Sequence, residues 1–297
     1  MKQNIVFFGS GSYTIPVVKK LIPHGLDLVI TTEKSPDSKL LSFCSENNIK
    51  TLTAQTVSEL TNHQSLITNH TLAVLASFGA IIPDEIINAF KYGIINIHPS
   101  LLPRWKGPSP IQYTLLNGDN QTGVTLIKLD NEIDHGNILS QKTYKLDGSE
   151  TTQFLLDKLF SIGAEMVEEL IIKLEKNQTL TESPQDHSKE TWSYKITKED
   201  GFIDLNSIPS NPLKIENWKL EIARRIRAYH PWPGVWFKNV IAIRQLAEKQ
   251  SSLNNKIIKL LPEGKIQVEG KIPMNYKDFI NGYGQDGRRL LDKLKLI

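Results

Sequence analysis

Along the first half of the chain, short unbroken apolar runs alternate with stretches whose apolar positions recur every three or four residues. Residues 4–8 read as a strand ending in Gly9-Ser10-Gly11-Ser12, and residues 15–22 as the helix that follows. The strand pattern returns at 27–30, 71–76 and 94–97, and the helical pattern at 38–46 and 83–90. Apolar runs without alternation belong to strands covered on both faces. Strands separated by helices predict right-handed βαβ units in a parallel sheet, an α/β fold. Residues 124–129 and 138–144 are later strands. Residues 151–175 form one long helix, with Phe154, Leu155, Leu159, Ile162, Met166, Leu170 and Ile171 on its core face.

The pattern then changes. Residues 176–190 (KNQTLTESPQDHSKE) are polar and read as exposed connection. This divides the chain into a domain over 1–176, a linker over 177–193 and a second domain over 194–297. In the latter, residues 212–229 form a helix with Ile222, Ile226 and Tyr229 on one side, stopped by His230-Pro231-Trp232-Pro233-Gly234. Short β-type runs at 235–237, 240–244, 256–261 and 265–268 predict a small β-barrel, OB-like in its helix-and-strand content.

A length of 297 residues with 39% apolar and 23% charged residues suits a globular chain of two domains. No apolar run reaches the roughly 20 residues of a membrane span, and the N-terminus turns polar too soon for a signal peptide. Cys44 is the only cysteine, so internal disulfides and cysteine metal clusters are excluded and a reducing cytoplasm is expected. His24, His63, His70 and His187 lack ligand spacing, and no metal is assigned. Residues 1–176 carry a net −3 and residues 177–297 a net +6, which points to an anionic partner for the second half. Arg224 and Arg227, close on one helix with Arg225, are candidate phosphate contacts, although a solvated face would look the same. Nothing in the chain calls for an oligomer; a monomer is the expectation.

Gly9-Ser10-Gly11-Ser12-Tyr13-Thr14 has two of the three small positions of a dinucleotide fingerprint, and no acid at the expected place ends the next strand. A tight strand-to-helix turn explains it as well, so a Rossmann-like sheet without a nucleotide is expected. The informative stretch is Asn96-Ile97-His98-Pro99-Ser100-Leu101-Leu102-Pro103-Arg104-Trp105-Lys106-Gly107. Two apart on a strand, Asn96 and His98 share a face while Ile95 and Ile97 pack the other. They stand at the carboxyl end of a central strand, where open α/β sheets bind ligands, and Pro99 and Pro103 stiffen the loop after them. A second polar loop, Asp130-Asn131-Glu132-Ile133-Asp134-His135-Gly136, lies between two strands. An Asp beside a His raises and orients the imidazole; amide, imidazole and carboxylate together can stabilise an oxyanion and move a proton. No serine or cysteine nucleophile is required, which favours direct attack by a substrate amine. Arg104 and Lys106, next to this site, are placed to meet an anionic substrate.

The order of these motifs resembles the folate-dependent formyltransferases, most closely their tRNA-formylating branch. It runs through Asn96, the stretch His98–Gln112, Gly118-Asp119 with Thr122-Gly123-Val124-Thr125, and Asp134-His135-Gly136. It continues through Arg227-Ala228-Tyr229-His230-Pro231-Trp232-Pro233-Gly234 and Asp278-Phe279 with Asn281-Gly282. The resemblance covers residue 4 to the C-terminus. It implies a formyltransferase domain followed by an OB-like, tRNA-binding domain. The implied activity transfers formyl from 10-formyltetrahydrofolate to the α-amino group of methionine on initiator tRNA. Asn96, His98 and Asp134 then form the catalytic triad. Ser100, Leu101, Leu102 and Pro103, with Phe78 and Gly79, are the folate contacts, and Arg104, Lys106, Arg224 and Arg227 the tRNA contacts. A nucleotide-amino-sugar N-formyltransferase using the same donor is the alternative. The loop over 31–39 is shorter than the glycine- and lysine-rich loop usual in the tRNA branch, and His135 stands where a threonine is usual.

Overall fold

A computed structural model describes residues 3–297 except 36, 68, 239–252 and 254. The strand expected at 240–244 therefore lies outside the described residues. Two compact units emerge: Met1–Ile111 with Asn120–Leu146 and Phe154–Tyr194, and Gln112–Asp119 with Asp147–Gln153 and Lys195–Ile297.

In chain order the first unit opens with β1 (Ile5–Gly9), α1 (Ile15–Leu21), β2 (Leu26–Thr31), α2 (Lys39–Glu46) and β3 (Lys50–Thr53). Two short helices follow, α3 (Val57–Asn62) and α4 (Gln64–Ile67), then β4 (Leu72–Ala76), α5 (Asp84–Ile87) and β5 (Ile94–His98). α6 (Pro110–Asn117) leads to β6 (Gln121–Lys128), β7 (Ile138–Lys145) and α7 (Thr152–Glu175). The seven strands form one sheet in the order β3-β2-β1-β4-β5-β6-β7. β3 through β5 are parallel, and β6 and β7 run antiparallel to their neighbours. β1 is buried at every position, as its unbroken apolar run requires, and β5 is buried throughout although Asn96 and His98 interrupt its apolar residues. The apolar face of α7 is buried at Leu155, Leu159, Met166, Leu170 and Ile171; Phe154, expected with them, is 49% exposed in the first turn of the helix. α7 comes close to β5 at Gly163, where any Cβ would collide with the Ile97 side chain. That close approach fixes the strand one residue before His98.

The second unit contains α8 (Pro212–Tyr229), β8 (Val235–Lys238), β9 (Ile257–Leu261), β10 (Lys265–Val268), β11 (Met274–Asn275) and α9 (Tyr276–Lys293). Its strands form an antiparallel sheet in the order β11-β10-β9-β8. α8 starts with Asn211 as cap and Pro212 in its first turn, and buries Ile222, Ile226 and Tyr229 as expected. Among the described residues, no helix is long and apolar enough to cross a membrane.

Candidate active site

Asn96 and His98 project from the same face at the carboxyl end of β5, and each is only 5% exposed. Asp134 comes from the loop between β6 and β7. Its Oδ1 accepts a hydrogen bond from Asn96 Nδ2 at 3.2 Å and lies 3.4 Å from His98 Nδ1; its Oδ2 accepts from the Gly107 amide at 2.8 Å. His98 Nε2 sits 3.0 Å from the Trp105 carbonyl oxygen. A carboxylate on one ring nitrogen and a carbonyl on the other both call for N–H, so the geometry fits a buried imidazolium. Burial by itself would drive the imidazole's pKa down, but the Asp134 charge and hydrogen bond, with the Trp105 carbonyl, bring it above its ordinary value. For Asp134, burial pushes upward and is outweighed by His98, the Gly107 amide and the Lys106 charge, leaving the carboxyl below its ordinary range. The second hydrogen of Asn96 Nδ2 has no acceptor among the described residues and is available to an incoming oxygen.

Three non-glycine residues adopt left-handed backbone in the loops around this cluster: Ser77 (φ 54°) after β4, Trp105 (φ 57°) after β5 and Asp134 (φ 48°) after β6. Each conformation costs on the order of 1–3 kcal/mol and persists only where surrounding contacts hold it. At Trp105 it aims the carbonyl at His98. Around Asp134, Gly136 is needed because any Cβ there would overlap the Lys128 carbonyl oxygen.

The segment 177–193, read from sequence as a linker, is mostly exposed but bonded to both loops. Ser183 and Ile138 exchange backbone hydrogen bonds at 2.8 and 2.9 Å. The Trp105 amide donates to Thr191 Oγ1 at 2.9 Å, and Ser193 donates to the Lys106 carbonyl through its amide at 2.7 Å and its hydroxyl at 2.9 Å. Its polar composition concealed this role, because the same residues would suit an exposed connection.

The sequence-predicted ligand residues divide accordingly. Lys106 is turned inward rather than toward solvent. It is 1% exposed, its Nζ lies 2.7 Å from Glu190 Oε2, and its charge faces the Trp192 ring. A lysine is buried in this way only when paired. The Arg104 guanidinium stacks 4.3 Å from the Trp105 ring centroid. Phe78, expected at the folate, turns its ring into the core edge-on to Phe8, because an aromatic at the end of a buried strand gains more by packing. Gly79 beside it is exposed. Ser100 and Leu102 are buried as well. Ser100 Oγ donates to the Arg104 carbonyl at 2.6 Å, and Leu102 bonds Thr125 Oγ1 through its amide and Gln141 through its carbonyl. With these polar groups satisfied internally, the loop presents a rigid edge of half-buried Leu101 and Pro103, which fits an apolar ring system lying against it.

In the second unit, Arg224 packs on Gly118, which has no room for a Cβ beneath the guanidinium. Arg227 is half-buried with Nε unpartnered; burial holds its pKa below the ordinary value, opposed by Glu150. Arg225 serves structure, donating to the Asp200 and Phe202 carbonyls at 2.6 and 2.9 Å. At the glycine turn, the Gly11 amide donates to Glu33 Oε1 at 3.0 Å. Among the described residues no three His, Cys, Asp or Glu side chains are grouped as a metal site.

Residues 3–171 match the formyl transferase family model. A methionyl-tRNA formyltransferase of Methylobacillus flagellatus is 30% identical over 94% of this chain and 96% of its own length. One from Treponema pallidum is 36% identical over 70% of this chain and 69% of its own. In three dimensions the chain is similar to a 4-N formyltransferase from Francisella tularensis, at a TM-score of 0.65 and 21% identity, covering 89% of this chain and 99% of that one. With the family model spanning residues 3–171, more than half of the chain, and a 30% identical relative aligned over 94% of it, the chain belongs to the formyl transferase family.

Proposed function

We propose that this protein transfers the formyl group of 10-formyltetrahydrofolate to the α-amino group of methionyl initiator tRNA. The observation that carries the reading is the buried cluster in which Asp134 holds Asn96 and a doubly donating His98 at the carboxyl edge of the sheet. The relatives aligned over nearly the full length, both domains included, are methionyl-tRNA formyltransferases.

When bound, 10-formyltetrahydrofolate supplies a carbonyl carbon open to attack by an amine. Asn96 turns its free N–H toward the oxygen that becomes negative, and His98 adds a fixed positive charge a few ångströms away, where low dielectric magnifies it. Asp134 keeps that charge in place. As the new C–N bond forms, the proton the amine loses passes, with Asp134 and water helping it across, to N10 of the folate, whose bond to the formyl carbon breaks as the tetrahedral intermediate collapses. Leu101 and Pro103 hold the donor's ring, with the backbone at Gly79 on the opposite loop. The second domain is an OB-type fold whose Arg224 and Arg227 meet phosphate, consistent with the net +6 beyond residue 176. This reading places the protein in the cytoplasm, as a monomer.

The test offers the purified protein 10-formyltetrahydrofolate with either methionyl initiator tRNA or a UDP-amino sugar. Formyl-methionyl-tRNA is the expected product. Formylation of the sugar without formylation of the tRNA overturns the acceptor assignment.

A further inference from the structure

Gln185 lies in the segment read as linker, far in sequence from the motifs, and is nevertheless 6% exposed. Its Nε2 donates two hydrogen bonds, to the Asp134 carbonyl at 2.9 Å and to the Gly136 carbonyl at 2.8 Å. These carbonyls flank the tightest part of the loop, where Asp134 is left-handed and Gly136 presses on the Lys128 carbonyl. The clamp is itself anchored two residues earlier, by the paired backbone of Ser183 and Ile138. Nearby, Glu182 bonds Lys128 and Asn137, so the strap grips both ends of the same loop.

We propose that Gln185 is a positioning residue for the formyl-transfer site: it fixes the backbone of Asp134 so that the carboxylate reaches Asn96, His98 and the Gly107 amide together. This rests on the function proposed above. The side chain is a poor choice for stability alone, because its Oε1 is buried without a partner. A buried unpaired acceptor is destabilising, and an apolar side chain of the same shape would remove that burden along with both donated bonds. What only the amide supplies is a pair of donors to successive bends of one loop.

That asymmetry gives the test. Gln185→Met keeps the volume and loses both donors; Gln185→Glu keeps the shape and sets a carboxylate against two carbonyls. For Gln185→Met, kcat is expected to fall on the order of tenfold to a hundredfold. KM for both substrates should change less than about twofold, while Tm falls only modestly, because relief of the unpaired Oε1 partly offsets the two carbonyls left without a donor. Gln185→Glu is expected to fall further. Independently of turnover, hydrogen exchange at the Gly107 amide should quicken in Gln185→Met, because its acceptor on Asp134 is no longer held. The proposal is overturned if Gln185→Met keeps wild-type kcat and Gly107 exchange, or if kcat falls only in step with lost Tm. Should the wild-type protein formylate no acceptor, the functional reading fails, and the Gly107 exchange still decides whether Gln185 positions Asp134.

Discussion

Replacing Asp134 by Asn changes one oxygen to an NH₂ group and leaves the shape of the site almost intact, which isolates the charge. In the native site the carboxylate stands 3.4 Å from His98 Nδ1. At an effective dielectric of about 20, that separation is worth about 5 kcal/mol to the charged pair. The amide forfeits this attraction, while the burial that opposes a charged imidazole remains. The pKa of His98 therefore falls from above its ordinary value to below it. The sign for activity follows directly. If turnover needs imidazolium, wild-type activity persists past pH 6.5 and is lost as pH rises through the elevated value; in Asp134→Asn the same limb moves to lower pH. The amide must also present its NH₂ to one of two donors, the Asn96 amide or the Gly107 N–H, so one hydrogen bond is lost as well. The combined effect on kcat near neutral pH is about 10²–10⁴-fold, the range of a removed oxyanion or acid–base group. Single-turnover formylation of methionyl-tRNA, followed from pH 5.5 to 9, measures both quantities. A variant within threefold of wild type at pH 7, or with its alkaline limb unmoved, refutes the imidazolium reasoning.

Other perturbations test other parts of the structure. Glu190→Gln removes the charge beside the buried Lys106 amine but keeps an acceptor oxygen, at a cost of about 1–3 kcal/mol. Lys106→Met leaves only a one-third-exposed Glu190, which water can reach, and should cost less; denaturant unfolding that ranks the two the other way removes the structural role given to Lys106. Gly163→Ala forces the new methyl against Ile97 and is expected to destabilise by about 1–2 kcal/mol, the overpacking exceeding the helix-propensity gain. Because Ile97 precedes His98, kcat should fall as well, and a more stable, fully active variant would contradict the packing. Arg224→Glu is expected to raise KM for methionyl-tRNA and lower the slope of log affinity against log salt by about one. KM for the folate should stay put, and an unchanged slope removes Arg224 from the RNA-binding face.

The parts legible in the sequence are those fixed by local chemistry. β5 was readable because Asn96 and His98 interrupt an apolar run at a spacing of two, and α8 because Asn211, Pro212 and the prolines after His230 mark both ends. β3 (Lys50–Thr53) escaped because an edge strand with exposed lysine and threonines carries no apolar pattern. α3 left a usable signal in its capping box, Thr56 with Glu59. The helix expected over 83–90 shrank to Asp84–Ile87, since two of its apolar positions, Ile86 and Phe90, pack as part of the core without needing further turns. The burial of Lys106 and Phe78 was not legible for one reason. A side chain's identity fixes what it can bind but not which way it faces, and burial beside Glu190 or Phe8 arises from chain segments distant in sequence.

The same reason sets the limit for the site as a whole. The motifs supply an amide, an imidazole and a carboxylate, yet what makes them one unit is backbone that neither motif encodes. Trp105 and Asp134 both sit in left-handed conformations that their own residue types disfavour. Each is held from the 183–193 strap, Trp105 by Thr191 at its amide and Asp134 by Gln185 at its carbonyl. Without those bonds, relaxation of either residue would turn the Trp105 carbonyl away from His98 or withdraw the carboxylate. His98 would then lose a partner that only a charged imidazole needs. On the function proposed above, the polar 177–193 segment therefore works with the catalytic groups: its side chains bond the main chain at Trp105 and Asp134 and so restrain the two loops that stabilise a buried positive charge.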